Sequence, residues 1–459
     1  MSFGEGSVRS SIFRPVRRSF AALIVLAGFV LAAPAHAAEQ SFKLRAGPYK
    51  MGRYETVFPD QHIPTPGVDG YVTELHASLV HADGSKVMVN EAMLHHLFFR
   101  NDSRNRVRNC GSTRAESFYG TGEEDQSLDL PDGYGYRLRR HDVWAMGAMI
   151  MSHRYQASNV YLQYTGKVET SRRLTDVRPF WVRANGCNTV AYNVYGGGAK
   201  GSVDDKVYKW KMPMSGRIVA AGGHLHAGAI NLQLRDPNCA NRVLFDNQPF
   251  YAAADDMMYT ARPRLHEAGP TQTSWFSSAQ GIPVRKGQEL DLHGVYSNEY
   301  ARQLVMSITH VYVAAGPAPK AKCPPMPADA HQAPMRAGMR TSAPYEAIPL
   351  YKLDGRHLPV VLKEPEGPKK TLKDNAWVDL KAYRFQPARI VVKSGTTLRW
   401  RFGDIAKHNI TQASGPLAAA GQTGSKGDVD RTTFDAPGRY QFFCSLHPMT
   451  MHEQIDVVP

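Results

Sequence analysis

Long helical periodicity is nearly absent from this 459-residue chain, which excludes a helical bundle or coiled coil as its frame. Beyond the N-terminal forty residues no run is long and apolar enough to cross a bilayer, which takes about 20 consecutive residues, so no stable membrane span is expected. The formal charge is +14, yet the basic residues are scattered. No lysine-arginine run with interleaved aromatics appears, which argues against a nucleic-acid partner and leaves an acidic partner or an anionic surface. Cysteine is scarce, with five residues at Cys110, Cys187, Cys239, Cys323 and Cys444.

What is present begins with an export signal. Arginines precede an apolar run from Phe20 to Ala33, and the small-residue exit Ala35-His36-Ala37 follows, the layout of a cleaved secretory peptide over residues 1–37. Arg17-Arg18 followed by Phe20 also resembles a twin-arginine signal. The mature chain is expected from Ala38, in the periplasm or secreted. In such an oxidising compartment four cysteines can form two disulfides. The one left over needs a reason to stay reduced, and a metal thiolate supplies one. Cys323 is placed to staple back to Cys187 or Cys239.

Segments such as "NVYLQYTGKV", "GRIVAAGGHLHAGAINLQLR" and "RQLVMSITHVYVA" are short, rich in β-branched and aromatic residues, and separated by turn formers, which predicts an all-β, sandwich-type architecture. About 420 mature residues suit two or three domains. Prolines crowd "GPAPKAKCPPMPADAHQAP" and "LKEPEGPKK", so residues 316–375 read as an extended linker pinned in part to what precedes it. A second all-β unit follows at 376–459.

That last unit carries the sharpest motif. A mononuclear electron-transfer copper takes two imidazoles, a thiolate and a weak axial thioether. "YQFFCSLHPMTMH" offers Cys444, His447 and either Met451 or Met449, and His408 lies 36 positions before Cys444 in "HNITQ". Together with "F-x-P" at Phe385 and Pro387, "VKSGTTLRW", "H-N" at 408–409 and "P-G-x-Y-x-F-x-C", this segment resembles the cupredoxins of the plastocyanin and amicyanin type. The resemblance implies a Greek-key β-sandwich with a type 1 copper held by His408, Cys444 and His447. It gives Asn409 the role of tying the two ligand loops together. The short-loop members place methionine three residues after the histidine, where this chain has Thr450. Counting back from the final strand favours Met451 over Met449.

Upstream, His224 and His226 in "GGHLHAG" are two apart on an expected strand, so both leave one face. His95 and His96 in "MLHHLFF" would point to opposite faces of a regular strand, and sharing a metal requires a strand end or a distortion. Met306 follows in "RQLVMSITHVYV". A His-His pair, a His-x-His about 130 residues later and a methionine near a final strand resemble the copper type II ascorbate-dependent monooxygenases, the group of peptidylglycine alpha-hydroxylating monooxygenase. They also resemble the stress-up-regulated nodulin-type proteins. Over about residues 45–315 the likeness implies tandem jelly-roll-like β-sandwich lobes, 38–195 and 196–315, with separate copper sites on facing surfaces. His224, His226 and Met306 would form the oxygen-activating, catalytic site, and His95 with His96 two-thirds of an electron site. Tyr164 and Thr165 stand near the place expected for that site's third histidine, and His153 in "GAMIMSHR" is the available substitute.

Two readings of function follow. In one, a type 1 copper domain is tethered to a copper monooxygenase-like region and feeds it electrons for O2-dependent oxidation, with His447 as electron port and a redox protein or small reductant as partner. In the other, the chain is a non-enzymatic copper-binding electron carrier whose N-terminal lobes are a scaffold or ligand-binding module. A multicopper oxidase is disfavoured, because one His-x-His and no His-Cys-His cannot build a trinuclear cluster.

Overall fold

The computed structural model describes residues 39–104, 115–418, 421 and 423–459. The export signal and Cys110 lie outside these. Runs in which alternate residues are apolar become strands half-buried on one face: in Gly70–Val80, Leu75, Ala77 and Leu79 are buried while Glu74, His76 and Ser78 are less so. The described residues contain one short α-helix, Met257–Thr260, and none of their helices is long and apolar enough to cross a membrane.

Three sandwiches follow one another. In the first lobe, Gln40–Met51, Ser158–Glu169, Gly70–Val80 and Tyr134–Leu138 form one sheet. Trp144–Ser152, Ala92–Asn101 and Glu116–Gly122 belong to the other. Phe99, Phe118, Tyr136, Trp144 and Leu162 fill the space between. In the second lobe Thr175–Arg183, Ser307–Ala315, Gly216–Leu225 and Phe276–Val284 face the sheet of Val203–Lys211, Glu289–Ser297, Ala229–Asp236 and Arg242–Asp246. Leu232, Phe245, Leu292 and Val311 are in that core. The lobe boundary moves relative to the sequence expectation of 195/196. Thr175–Arg183 pairs along its length with Ser307–Ala315, inside the second lobe. Its apolar pattern cannot announce this, because its pairing partner lies more than a hundred residues away. Two residues of the same strand also run parallel to Tyr134 and Gly135, so a single sheet passes through both lobes.

Residues 316–375 are a strap attached along their length, more so than the partial pinning expected. Cys323 is disulfide-bonded to Cys239, with Cα atoms 5.5 Å apart, so of the two partners considered Cys239 is the one used, and Cys187 is disulfide-bonded elsewhere. His331–Gln332 adds to the edge of Phe276–Val284. Tyr251 and Arg340 exchange backbone hydrogen bonds. Lys369–Thr371 then joins the C-terminal domain beside Arg389–Lys393. That domain stacks one sheet, containing Arg389–Lys393, His452–Val458, Gly438–Phe443 and Thr411–Ser414, on another containing Ala376–Leu380, Thr396–Phe402 and Val429–Phe434. Trp400, Phe434, Phe442 and Ile455 lie in its core.

The C-terminal domain is docked on the lobes. Met449 is buried in a cluster with Tyr54, Met93, Met151, Leu265 and Tyr351. Thr56 Oγ1 donates to the Ser445 carbonyl at 3.1 Å, and Gln303 Oε1 accepts from the Gln412 amide at 3.0 Å.

Candidate metal centres

In the C-terminal domain, His408 Nδ1 and His447 Nδ1 lie 3.1 Å apart. Cys444 Sγ is 3.6 Å from the second nitrogen and 4.0 Å from the first. Bond lengths of about 2.0 Å to nitrogen and 2.3 Å to sulfur put N and S about 3.7 Å apart around a trigonal ion, so the three atoms already frame one. Burial pushes the Cys444 thiol up to about 11, and burial with the neighbouring His408 brings His447 down to about 4. The histidine is therefore a neutral ligand, and metal uptake must displace the thiol proton.

The surroundings hold this frame. The Asn409 amide donates to Cys444 Sγ at 3.4 Å, while its side chain donates to Ser445 Oγ and accepts from the Ser445 amide, each at 2.8 Å, which is the loop-tying expected of it. His408 Nε2 is bonded to Asp404 Oδ2 at 3.0 Å. That carboxylate is itself held by the amides of Ala382 and Tyr383, both at positive φ. Met451 is fully buried in the same core as Cys444, whereas Met449 turns into the cluster shared with the first lobe.

The second centre lies between the lobes. The pairing of Ala92–Asn101 with Trp144–Ser152 slips between Leu94 and His96. This bulge is the distortion the adjacent histidines require, and it leaves the His95 and His96 ring centroids 4.1 Å apart. His224 is the last residue but one of the strand Gly216–Leu225, and His226 follows it. The resemblance implies separate sites, but the structure brings both pairs into one cluster. His96 Nε2 is 3.0 Å from His226 Nε2, and the His96 and His224 rings are 4.9 Å apart. Gly122 lets them close: a Cβ there would meet the His95 carbonyl at 2.5 Å and the His224 ring at 3.2 Å.

Met306 falls in the break between Arg302–Val305 and Ser307–Ala315. The Tyr296 hydroxyl accepts the His226 amide at 2.9 Å and donates to the Met306 carbonyl, so one side chain positions both. His153 lies just past the strand Trp144–Ser152, with Nδ1 2.6 Å from the Val89 carbonyl and its ring stacked 6.4 Å from His266. Tyr164 is in the first-lobe core, its hydroxyl on the Pro64 carbonyl, away from the cluster. The neighbours that the sequence left unnamed are Glu123, Glu124 and His266. His224 Nδ1 is 3.0 Å from Glu124 Oε2. His95 Nδ1 is 2.5 Å from Glu123 Oε1, and His266 Nε2 is 3.1 Å from the same oxygen. The only available signal was two glutamates beside a Gly-Thr-Gly strand end and one histidine in a loop, which is too common to single out.

Electrostatics sort the cluster into kinds. Burial and adjacent imidazoles hold His96 and His226 well below the usual histidine range, so both are neutral donors. Burial opposes charge on His224 too, but Glu124 outweighs it and raises that group. His224 Nε2 is buried without a hydrogen-bond partner. A histidine held by a carboxylate at one nitrogen with the other bare is arranged as a metal ligand. A cavity of about 830 Å³ opens beside His96, His224 and Met306, walled by Phe98, Trp181 and Ile308. A second, of about 410 Å³, separates His95, Glu123 and His266 from Asn409 and Ser445 of the C-terminal domain.

Comparison with known proteins agrees with this division. A probable copper-dependent oxygenase of Phoma sp. is 23% identical over 280 residues, covering 56% of this chain and 67% of that protein. Another, of Cochliobolus lunatus, is 23% identical over 266 residues, 53% of this chain and 80% of that one. Amicyanin of Paracoccus versutus is 27% identical over 78 residues, 16% of this chain and 59% of amicyanin. Its crystal structure covers 18% of this chain and 82% of its own at 26% identity, with a TM-score of 0.17. Residues 373–458 match the plastocyanin/azurin family of copper binding proteins, and the N-terminal region is similar to copper-dependent oxygenases.

Proposed function

We propose that this chain is an exported copper-dependent oxygenase that carries its own electron donor. The observation that carries the reading is the docking: the loop bearing Cys444 and His447 rests against Met93 of Ala92–Asn101, the strand that bears His95 and His96, and against its neighbours Thr56 and Met151. From Cys444, one peptide bond leads to the Ser445 carbonyl, which Thr56 Oγ1 reaches. Thr56 pairs with Met151, and Met151 with Met93, two residues before His95. Met449 packs against both methionines. A run of hydrogen-bonded and strand-paired residues thus leads from Cys444 to within two residues of His95.

His408, Cys444, His447 and axial Met451 would hold a type 1 copper. His96, His226 and His224, with Met306 beside them, would hold copper next to the larger cavity, and copper bound there supplies one-electron chemistry toward dioxygen. The chain's own residues do the rest. Tyr296 fixes His226 and Met306, Glu124 orients His224, and Phe98, Trp181 and Ile308 favour an apolar substrate. Insertion of oxygen into a C–H bond consumes O2, two electrons and two protons, and yields the alcohol and water. Electrons would enter the cupredoxin from a redox protein or small reductant beside His447, where the ring of half-exposed Tyr383 stands 4.7 Å away. The Cys239–Cys323 disulfide suits an oxidising compartment.

The test is copper content together with turnover of the blue band. The full chain should bind more than one copper, and its reduced cupredoxin should reoxidise with O2 faster than that of a His96→Ala/His226→Ala variant. One copper per chain, with equal reoxidation in both, would make the protein an electron carrier on a scaffold and end the oxygenase reading.

A further inference from the structure

Glu123 sits between two imidazoles that belong to different segments of chain. Its Oε2 accepts the Gly269 amide at 2.7 Å, which turns Oε1 toward His95 Nδ1 and His266 Nε2. Its side chain is 6% exposed, against 12% for His95 and 18% for His266. A protein-only explanation accounts for half of this arrangement. His95 is aligned to hydrogen-bond the carboxylate, whereas His266 Nε2 stands 3.1 Å from the same oxygen without hydrogen-bond alignment, and its buried Nδ1 has no hydrogen-bond partner. Behind it, His153 is nine-tenths buried, and its Nε2 is also without a partner. Leaving a buried nitrogen unsatisfied is costly, and a cation between the carboxylate and the two rings would take up His266 Nε2.

We infer that His95, Glu123 and His266 form a second metal position in the interlobe cluster, for a divalent first-row transition ion, separate from the position bounded by His96, His224 and His226. The ligand atoms of the three residues all lie within 4.8 Å of one another, and His95 lies equally within reach of His96 and His226. Glu123 decides its allegiance, because its carboxylate sits against the His95 nitrogen and close to His266. The two adjacent histidines therefore serve different ions, and the bulge that sets their rings side by side also divides their partners. A carboxylate with two imidazoles is a harder donor set than thiolate or thioether and suits a divalent ion over copper(I). The competing role for Glu123 is to orient His95 toward the His96–His226 ion without touching a metal itself, as Glu124 does for His224.

This inference rests on reading the histidines of Ala92–Asn101 as metal ligands, and the test separates the two ideas. The stripped full-length chain is loaded with copper(II) and, in parallel, cobalt(II), desalted and counted for metal, with the thiolate-to-copper band as the folding control. Wild type should hold three copper ions, while Glu123→Gln and His266→Ala should each hold two, keep the blue band and lose part of the cobalt d–d absorption. His226→Ala should also hold two. If Glu123→Gln keeps every ion while His226→Ala loses one, the second position is overturned and the proposed function stands. If Glu123→Gln loses one and His226→Ala loses none, the copper reading of His96 and His226 fails and the second position stands. A wild-type count of one, or a count of two that Glu123→Gln leaves unchanged, overturns the inference.

Discussion

In the cupredoxin, Cys444, His447 and Met451 fall within eight residues and only His408 comes from elsewhere. Between the lobes the clustered imidazoles and carboxylates come from four separate segments, at 95–96, 123–124, 224–226 and 266. The first set is closed. Asn409 and Asp404 tie its loops together, and its three strong donors already stand at metal-binding separations. The second set is open on two sides, mixes carboxylates with imidazoles, and leaves buried nitrogens bare. A rigid, closed frame suits an electron passing with little rearrangement, and an open, under-satisfied one suits admitting a further ligand.

The sharpest way to break that comparison is Cys444→Ser. It should abolish the thiolate-to-copper absorption and remove one copper per chain while the interlobe ions remain, and His96→Ala/His226→Ala should do the converse. Metal analysis and visible spectra of the two variants check this. If either change empties both centres, the two are not independent.

Asp404→Asn probes the closed centre more finely. The carboxylate accepts from His408 Nε2 and from two backbone amides, and an amide side chain cannot accept from all three. Changing a partner of a metal-bound histidine typically lowers metal affinity about 10–100-fold. With a negative charge gone, the oxidised ion loses more than the reduced one, so the reduction potential should rise. Redox titration beside a copper(II) competition assay reads both effects.

How much of this was legible in the sequence follows the same division. The gathering of His408, Cys444 and His447 was readable because two of them lie on one loop and a sandwich of about 85 residues leaves few places for the third. The tie that Asn409 makes between the two loops is the one the cupredoxin resemblance implies. His95, His96, His224 and His226 were also readable as pairs, and so was the need for a distorted strand at 95–96. Their merging was not, because it depends on Gly122 being small where two lobes meet. Glu123 and His266 were not legible either, since their neighbours are 28 residues away in one direction and 143 in the other. The Thr175–Arg183 strand and the docking of Met449 depend likewise on pairing across long stretches of chain.

Met449→Ala tests whether the two methionines of the copper loop divide their work as the packing indicates. Removing a buried methionine side chain costs about 2–5 kcal/mol. Here the loss falls on the cluster with Tyr54, Met93 and Met151, so the docked state should weaken while the blue spectrum stays as it was. Met451→Ala should do the opposite, shifting the spectrum and sparing the docking. Thermal unfolding and limited proteolysis across residues 316–375, followed beside the visible band, separate the two.

The smallest change bears on the link itself. Thr56→Val keeps nearly the same shape and removes one hydroxyl, the donor to the Ser445 carbonyl. A single hydrogen bond contributes about 1 kcal/mol, so stability, copper count and the blue band should scarcely move. The path from Cys444 to the strand Thr56–Val57 would lose this polar contact while the packing of Met449 in the cluster with Met93 and Met151 persists. Reoxidation of the reduced cupredoxin by O2, measured by stopped flow, should therefore slow in Thr56→Val with both centres fully loaded. An unchanged rate would assign the transfer to the methionine contact, and Met93→Ala would then be the variant that slows it.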